Sequence, residues 1–126
     1  MIKFRAWNGY RKMMADYVSA IQNGDTQGTS SSVNVIVNGK NETWDIKNDH
    51  VELLQFTGLK DVNGKDIYEG DILENRKYRS IVKFASGKFL ADLIETIQTF
   101  DLIGETHGSK VIGNVHENPE LLEESK

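Results

Sequence analysis

The chain has 126 residues, a formal net charge of −4 and no cysteine. This length suits one ordinary domain with a small appended lobe. With 38% hydrophobic and 27% charged residues, the composition is typical of a globular protein and excludes a wholly disordered chain. The lack of cysteine excludes disulfides, thiol catalysis and thiolate zinc sites. The mildly acidic charge argues against broad binding to nucleic-acid phosphates.

The sequence shows no signal for a membrane or for secretion. No run approaches the roughly 20 apolar residues that a membrane-spanning helix requires. The start of the chain, from Met1 to Arg5, lacks the hydrophobic region of a signal peptide. We therefore expect a cytoplasmic protein with no membrane partner.

Two β-hairpins are predicted in residues 1–49, which we assign to an N-terminal hairpin lobe. Asn-Gly pairs, which accommodate the positive φ of tight turns, separate runs of apolar and β-branched residues. The first hairpin joins residues 2–7 to residues 10–15 through Asn8-Gly9. The second joins residues 33–37 to residues 42–46 through Asn38-Gly39.

The segment between the two hairpins has two parts. Residues 16–22 allow either a strand or one or two helical turns. Residues 23–32 contain glycine, serine and threonine and no large apolar side chain, which predicts a mobile loop.

Residues 50–126 are predicted to form an SH3-like small barrel with a short C-terminal helical tail. Strands at 51–56 and from Ile72 onward flank a polar turn at Asn63-Gly64. Gly70 interrupts the β pattern, which typically marks a bend or a close backbone approach. The expected fold class is therefore mainly β, with a minor α component.

The rest of this barrel is predicted from shorter patterns. Strands are expected at 80–85 and 88–91, and the last strand at 110–115. Asn118 is predicted to cap a final helical turn that starts at Pro119. Between these strands the apolar spacing becomes helical, which predicts a short helix that ends before Gly104. The apolar residues of that spacing are Leu90, Leu93, Ile94, Ile97 and Phe100.

Three blocks of the sequence resemble the YopX family of phage and prophage proteins. The longest runs from Gln55 to Leu73 and reads QFTGLKDVNGKDIYEGDIL. The opening KFRAW at Lys3–Trp7 and the ending VIGNVHENPELL at Val111–Leu122 also fit the family pattern. The resemblance implies a phage or prophage context, with action in the cytoplasm of a bacterial host cell. It brings no catalytic residue, and segments 16–48 and 78–110 lie outside it.

The spacing of the glycines does not match either of two known ligand-binding loops. A phosphate loop needs four residues between its glycines and then Lys followed by Ser or Thr. Here Gly58 and Gly64 enclose five residues, and Lys65 precedes Asp66. An EF-hand calcium loop that started at Asp61 would need glycine in the sixth position, whereas Gly64 is fourth. We expect no cofactor at this stretch.

Metal ligation and acid–base catalysis are also poorly supported. His50, His107 and His116 lie in three separate segments without the spacing of a zinc site, so we predict no metal. Glu69 and Asp71 form a carboxylate pair, but acid–base chemistry needs a cleft that perturbs their pKa values. For Asp71 we predict instead a hydrogen bond to backbone amides at the glycine corner.

The strongest candidate for binding is a basic–aromatic strip. Small barrels bind single-stranded nucleic acid with cations along the backbone and aromatic rings stacked on bases. The candidate binding residues of this strip are Arg76, Lys77, Tyr78, Arg79, Lys83 and Lys88, with Phe84 and Phe89 among them. The alternative, without a binding role, is that the two phenylalanines belong to the core and the cations to a solvated face.

We predict a non-enzymatic protein that self-associates or binds a protein partner whose identity the sequence does not reveal. Short barrels leave edge strands and apolar corners that commonly contact other subunits. The alternative is a nucleic-acid-binding small barrel that uses the basic–aromatic strip, although the net charge and the acidic tail oppose it. An enzyme, the third hypothesis, would need a pocket in which titratable groups converge.

Overall fold

The computed structural model describes residues 3–22 and 31–123. Within these residues the protein is mainly β, as predicted, with two short 3-10 helices. The chain divides into unit 1, which ends at Gln55, and unit 2, which begins at Phe56. The predicted mobile loop at 23–32 lies outside the described residues, except for its last two. No helix in the described part of the chain is long and apolar enough to cross a membrane.

The described residues of unit 1 form five complete strands and half of a sixth. Their bounds are β1 Phe4–Asn8, β2 Met13–Ala15, β3 Tyr17–Gln22, β4 Ser32–Val37, β5 Lys40–Asp45 and β6 Val51–Lys60, which continues into unit 2. β1 pairs with β2 and with the first half of β6, and β4 pairs with β3 and β5, all antiparallel. Both predicted pairs of strands are confirmed. The first turn differs from the predicted Asn8-Gly9 turn, because Asn8 ends β1, residues 9–12 form the turn, and Lys12 has the positive φ, at 58°. Asn38 and Gly39 have φ of 52° and 80°, as a tight hairpin turn requires.

The core of unit 1 follows the alternation of β4 and β5. Val33, Val35 and Val37 are buried along β4, and Trp44 of β5 lies opposite Val33 with only 1% of its surface exposed. Small residues from β1 and β2 complete this cluster. Residues 17–22, where the sequence allows a strand or a helix, form the edge strand β3.

Unit 2 contains the second half of β6 and six further strands in its described part. Their bounds are β7 Asp66–Tyr68, β8 Asp71–Glu74, β9 Arg79–Ala85, β10 Lys88–Leu93, β11 Thr99–Asp101 and β12 Lys110–Asn114, with 3-10 helices at Leu102–Gly104 and Pro119–Leu122. Five strands form an antiparallel sheet in the order β11-β10-β9-β8-β12. The buried side chains that pack together in this unit are Ile67, Leu73, Val82, Ala91 and Leu102.

The glycine corner predicted at Gly70 connects three parts of unit 2. Gly70 has a φ of 87°, donates to Val82 O at 2.8 Å and accepts from the Val115 N–H at 2.9 Å. The buried Asp71 accepts the Tyr68 N–H at its Oδ2 at 2.8 Å. The predicted role of Asp71 as an acceptor for backbone amides at this corner is therefore confirmed.

The short helix predicted between the strand at 88–91 and Gly104 is wrong. β10 continues to Leu93, whose N–H donates to Gln98 O at 3.0 Å, and the chain then returns as β11. Ile97, one of the residues of the helical spacing, is 102% exposed in the turn between these strands. The β-branched Thr96 and Thr99 favour this extended arrangement over a helix.

Two smaller predictions need correction. β6 continues through Gly58, where φ is 83° and the pairing with β7 is irregular, instead of ending there. Asn118 precedes a 3-10 helix but does not cap it with its side chain. Its Oδ1 accepts the Asn114 N–H at 3.1 Å, and this side chain lies against Gly113.

Candidate functional site

Three connecting segments of unit 2 meet beside the start of β12: the turn at 61–65, the turn at 75–78 and residues 105–109. Asp61 stabilises the first of these segments. Asp61 is buried, and its Oδ1 accepts the N–H groups of Asn63 and Lys65, both at 2.8 Å. Its Oδ2 accepts the Val111 N–H at 2.9 Å. Burial alone would raise the pKa of Asp61, but the three backbone hydrogen bonds to the charged carboxylate outweigh it and lower the pKa. The carboxylate thus ties the turn at 61–65 to β12.

Asn75 shapes the second segment, the turn between β8 and β9. Its Oδ1 accepts the N–H groups of Lys77 and Tyr78 at 2.8 Å and 3.0 Å, and its own N–H donates to Tyr78 O. This is the local side-chain-to-backbone bonding that asparagine favours in turns. It places Arg76 and Lys77 at an exposed tip.

The third segment, residues 105–109, contacts the other two. The Val62 N–H donates to Ser109 O at 3.1 Å, and the Asn75 Nδ2–H donates to Ser109 Oγ at 3.5 Å. Tyr78 donates its hydroxyl to Glu105 Oε1 at 2.5 Å, and this hydrogen bond raises the pKa of Tyr78. Ser109 is buried, so these contacts hold the segment in place.

Most side chains of the basic–aromatic strip form ion pairs or ring contacts within unit 2. Ion pairs neutralise Arg79, Lys83 and Lys88, each with a nitrogen–oxygen distance of 2.9 Å. Their carboxylate partners are Glu74, Asp92 and Asp101, respectively. The rings of Phe84 and Phe89 meet edge to face with centroids 4.9 Å apart. The strip therefore offers less free positive charge than its sequence indicates.

Three cations near the meeting point lack such partners. The side chains of Arg76, Lys77 and Lys110 are exposed and form no ion pair with any described residue. Arg76 and Lys77 belong to the predicted strip, whereas Lys110 does not. Lys65, in the turn at 61–65, is also exposed and without an ion pair among the described residues, but it does not line either of the grooves described next.

Two grooves flank Arg76. The first, the tail-side groove, has a volume of about 250 Å³. Its walls include Arg76, Lys77, Ile94, Glu95, Leu121 and Glu123. The second, the Lys110 groove, has a volume of about 300 Å³. It is lined by Val62, Glu74, Asn75, Arg76, Gly108 and Lys110.

The candidates for metal and acid–base chemistry are not assembled into either groove. Within residues 3–22 and 31–123, no three His, Cys, Asp or Glu side chains are grouped as a metal ion would need. Asp71 is 1% exposed and holds a backbone amide. His107 and His116 do not line the tail-side groove or the Lys110 groove.

Sequence reasoning missed Asp61, Val62, Asn75 and Lys110 as parts of one site. The patterns Asp-Val-Asn-Gly and Asn-Arg-Lys both carry the short polar side chains that close turns, so each turn could have been recognised locally. Their meeting with the segment before Lys110 depends on strand pairing between distant residues, which no local pattern reveals.

Fold and site together define a small, mainly β protein with unpaired cations around two surface grooves. The family model described as YopX protein matches residues 3–123, and the chain belongs to the YopX family.

Two solved structures resemble the chain over nearly its whole length. Protein EF1440 from Enterococcus faecalis is 30% identical with a TM-score of 0.66, covering 98% of this chain and 99% of that one. Protein yopX from Bacillus subtilis is 22% identical with a TM-score of 0.60, covering 98% of each chain, and this likeness bears on the fold alone. No curated protein sequence matches the chain.

Proposed function

We propose that this protein is a non-enzymatic assembly module that associates with further copies of itself through the β11 edge of the unit 2 sheet. The observation that supports the proposal is the exposure of large apolar side chains in segment 97–103. Ile97 is 102% exposed, Ile103 is 67% exposed, and Phe100 is also exposed. A second copy that covered these side chains would remove apolar surface from water, which favours association.

The position of β11 also supports self-association through this surface. β11 is the last strand of its sheet, so its outer edge has no strand neighbour among the described residues. All of its side chains are exposed. An edge of this kind offers unpaired backbone donors and acceptors to another chain. Backbone pairing and burial of the isoleucines would therefore act together.

The proposal includes the cellular setting. A phage or prophage origin and a site of action in the bacterial cytoplasm rest on the family resemblance. Purification of the protein from lysogenic host cells, with recovery in the soluble cytoplasmic fraction, would test this part directly. Recovery in the culture medium or the membrane fraction would contradict it.

Light scattering during size-exclusion chromatography tests the self-association. At micromolar concentrations we expect a mass that is a multiple of the monomer mass. The double variant Ile97→Asp/Ile103→Asp should shift the protein towards monomer, because it introduces charge where apolar contact is needed. Burial of an isoleucine contributes roughly 1.5–3 kcal/mol, so the dissociation constant should rise by about 100-fold or more.

Tyr10→Asp is the matched control. Tyr10 is a large apolar side chain that is 72% exposed in a turn of unit 1, and its replacement should leave the mass unchanged. A wild-type protein that stays monomeric throughout the concentration range would contradict the proposal. An oligomer that the double variant does not weaken would also contradict it.

A further inference from the structure

We propose that the Lys110 groove binds a carboxylate-bearing segment of a partner protein, in which an acidic residue stands next to an aliphatic one. This site goes beyond self-association and uses residues outside segment 97–103. It is formed where the turn at 61–65, the turn at 75–78 and residues 105–110 meet.

The charge of the groove selects an anion. Arg76 and Lys110 both line it and form no ion pair with the residues that the structure describes. Glu74, the acidic residue among the lining residues, is already paired with Arg79 at 2.9 Å. Glu74 also lies opposite Lys110 in the β8–β12 pairing, but no ion pair joins them, so Arg76 and Lys110 have no ion-pair partner among the described residues. An arginine guanidinium matches a carboxylate with two parallel hydrogen bonds, and a lysine adds a point charge.

The groove is held open before any ligand arrives. Asp61 fixes the turn that carries Val62 to the strand that carries Lys110, through its hydrogen bonds on both sides. Asn75 closes the turn that carries Arg76 and reaches Ser109. Preorganisation of this kind lowers the cost of binding, because the backbone does not need to be ordered by the ligand.

The apolar wall and the number of charges favour a peptide over nucleic acid. Val62 is 55% exposed and lines the groove, so it can pack against an aliphatic side chain next to the bound carboxylate. A nucleic-acid backbone would need a longer track of free cations. Three other cations of the strip are paired, so that only Lys77 is left beside Arg76. The tail-side groove is lined by Glu95 and Glu123, which would repel phosphates.

A fluorescein-labelled hexapeptide of alternating glutamate and leucine is the probe, titrated into the full-length protein and followed by fluorescence anisotropy. We expect saturable binding below about 1 mM, within the range of transient interactions. A hexapeptide of alternating glutamine and leucine should bind at least tenfold more weakly. In the ¹⁵N spectrum, shifts should be confined to residues around Arg76, Gly108 and Lys110.

Arg76→Gln/Lys110→Gln should weaken peptide binding by at least about tenfold, since it removes both charged donors. The matched control is Lys83→Gln/Lys88→Gln, which removes the same charge from cations that are already paired. This control should bind the peptide like wild type. Val62→Asp should also weaken binding, through loss of the apolar wall and repulsion of the carboxylate.

Three results would overturn the proposal. The first is no peptide binding at about 1 mM. The second is equal loss of affinity in the two double variants, which would indicate only a general charge effect. The third is tighter binding of a thymidine oligonucleotide than of the peptide, with loss of that binding in Lys83→Gln/Lys88→Gln, which would establish the nucleic-acid alternative. Ile97→Asp/Ile103→Asp should keep wild-type peptide affinity, so failure of the self-association proposal is distinguishable from failure of this one.

Discussion

Replacing Asp61 with alanine is expected to lower the free energy of unfolding by about 3 kcal/mol, because three backbone N–H groups lose a charged acceptor. The acceptor is buried, and its three donors belong to Asn63, Lys65 and Val111. Without the carboxylate the donors must find water or remain unsatisfied. Urea unfolding at neutral pH, followed by far-UV circular dichroism, measures the loss.

The contribution of Asp61 should depend on pH in a defined direction. Its pKa is lowered in the folded protein, so its stabilising effect is fully present above the unfolded pKa of about 3.9 and is lost as pH falls through the folded value. Asp61→Asn keeps the size of the side chain but cannot titrate. The difference in unfolding free energy between wild type and Asp61→Asn should therefore shrink below about pH 4.

A nearby aspartate serves as the control for the general effect of removing a surface carboxylate. Asp66 is the first residue of β7, and its partner Lys60 is exposed, so Asp66→Asn should cost less than about 1 kcal/mol. Equal stability of wild type and Asp61→Ala, or a difference from Asp61→Asn that is constant down to acidic pH, would show that the three hydrogen bonds do not have the role assigned to them.

Replacing Trp44 with alanine is expected to lower the free energy of unfolding by about 3–5 kcal/mol, the usual cost of removing a large buried aromatic side chain. Trp44 is 1% exposed and packs with Val33 and Val35 in the core of unit 1. The cavity cannot be filled by its β-branched neighbours, whose side chains are short and rigid. Urea unfolding followed by circular dichroism is the appropriate measurement, since tryptophan fluorescence changes with the variant itself.

Trp44→Phe separates packing from hydrogen bonding. Phenylalanine retains much of the apolar contact but lacks the indole N–H, which donates to Glu42 Oε1 at 3.0 Å. That hydrogen bond, followed by the one from Arg11, lowers the pKa of Glu42. In Trp44→Phe the pKa of Glu42, measured by NMR titration, should rise towards its ordinary value, with a smaller loss of stability than in Trp44→Ala. A phenylalanine variant as unstable as the alanine variant would contradict the packing argument.

Features set by adjacent residues were predictable from the sequence. Asn38-Gly39 forms a hairpin turn because both residues accept positive φ, and the β-branched run before it forms a strand in which alternate residues are buried. The glycine corner and the role of Asp71 were predictable for the same reason, since Gly70 and Asp71 act on backbone groups close in sequence. Such turns and corners depend on the conformational preferences of the residues that form them, and these preferences are known from residue type alone.

Features that depend on pairing between distant residues were not predictable. Ile97 fits a helical period by coincidence, and only the pairing of β11 with β10 shows that it lies in a turn. The Lys110 groove combines Val62, Arg76 and Lys110 from three separate segments. Its assembly requires knowledge of which strands are neighbours and in which register.

The ion pairs across β9, β10 and β11 have a consequence for how these strands align. Lys83 meets Asp92, the Thr99 hydroxyl donates to the same carboxylate, and Lys88 meets Asp101. Such exposed pairs add little to stability. If β11 slid by two residues towards Asp92, however, Asp101 would face another carboxylate and Lys88 would lose its partner. These charges therefore disfavour one misaligned register of β10 and β11 while contributing little to the stability of the correct one.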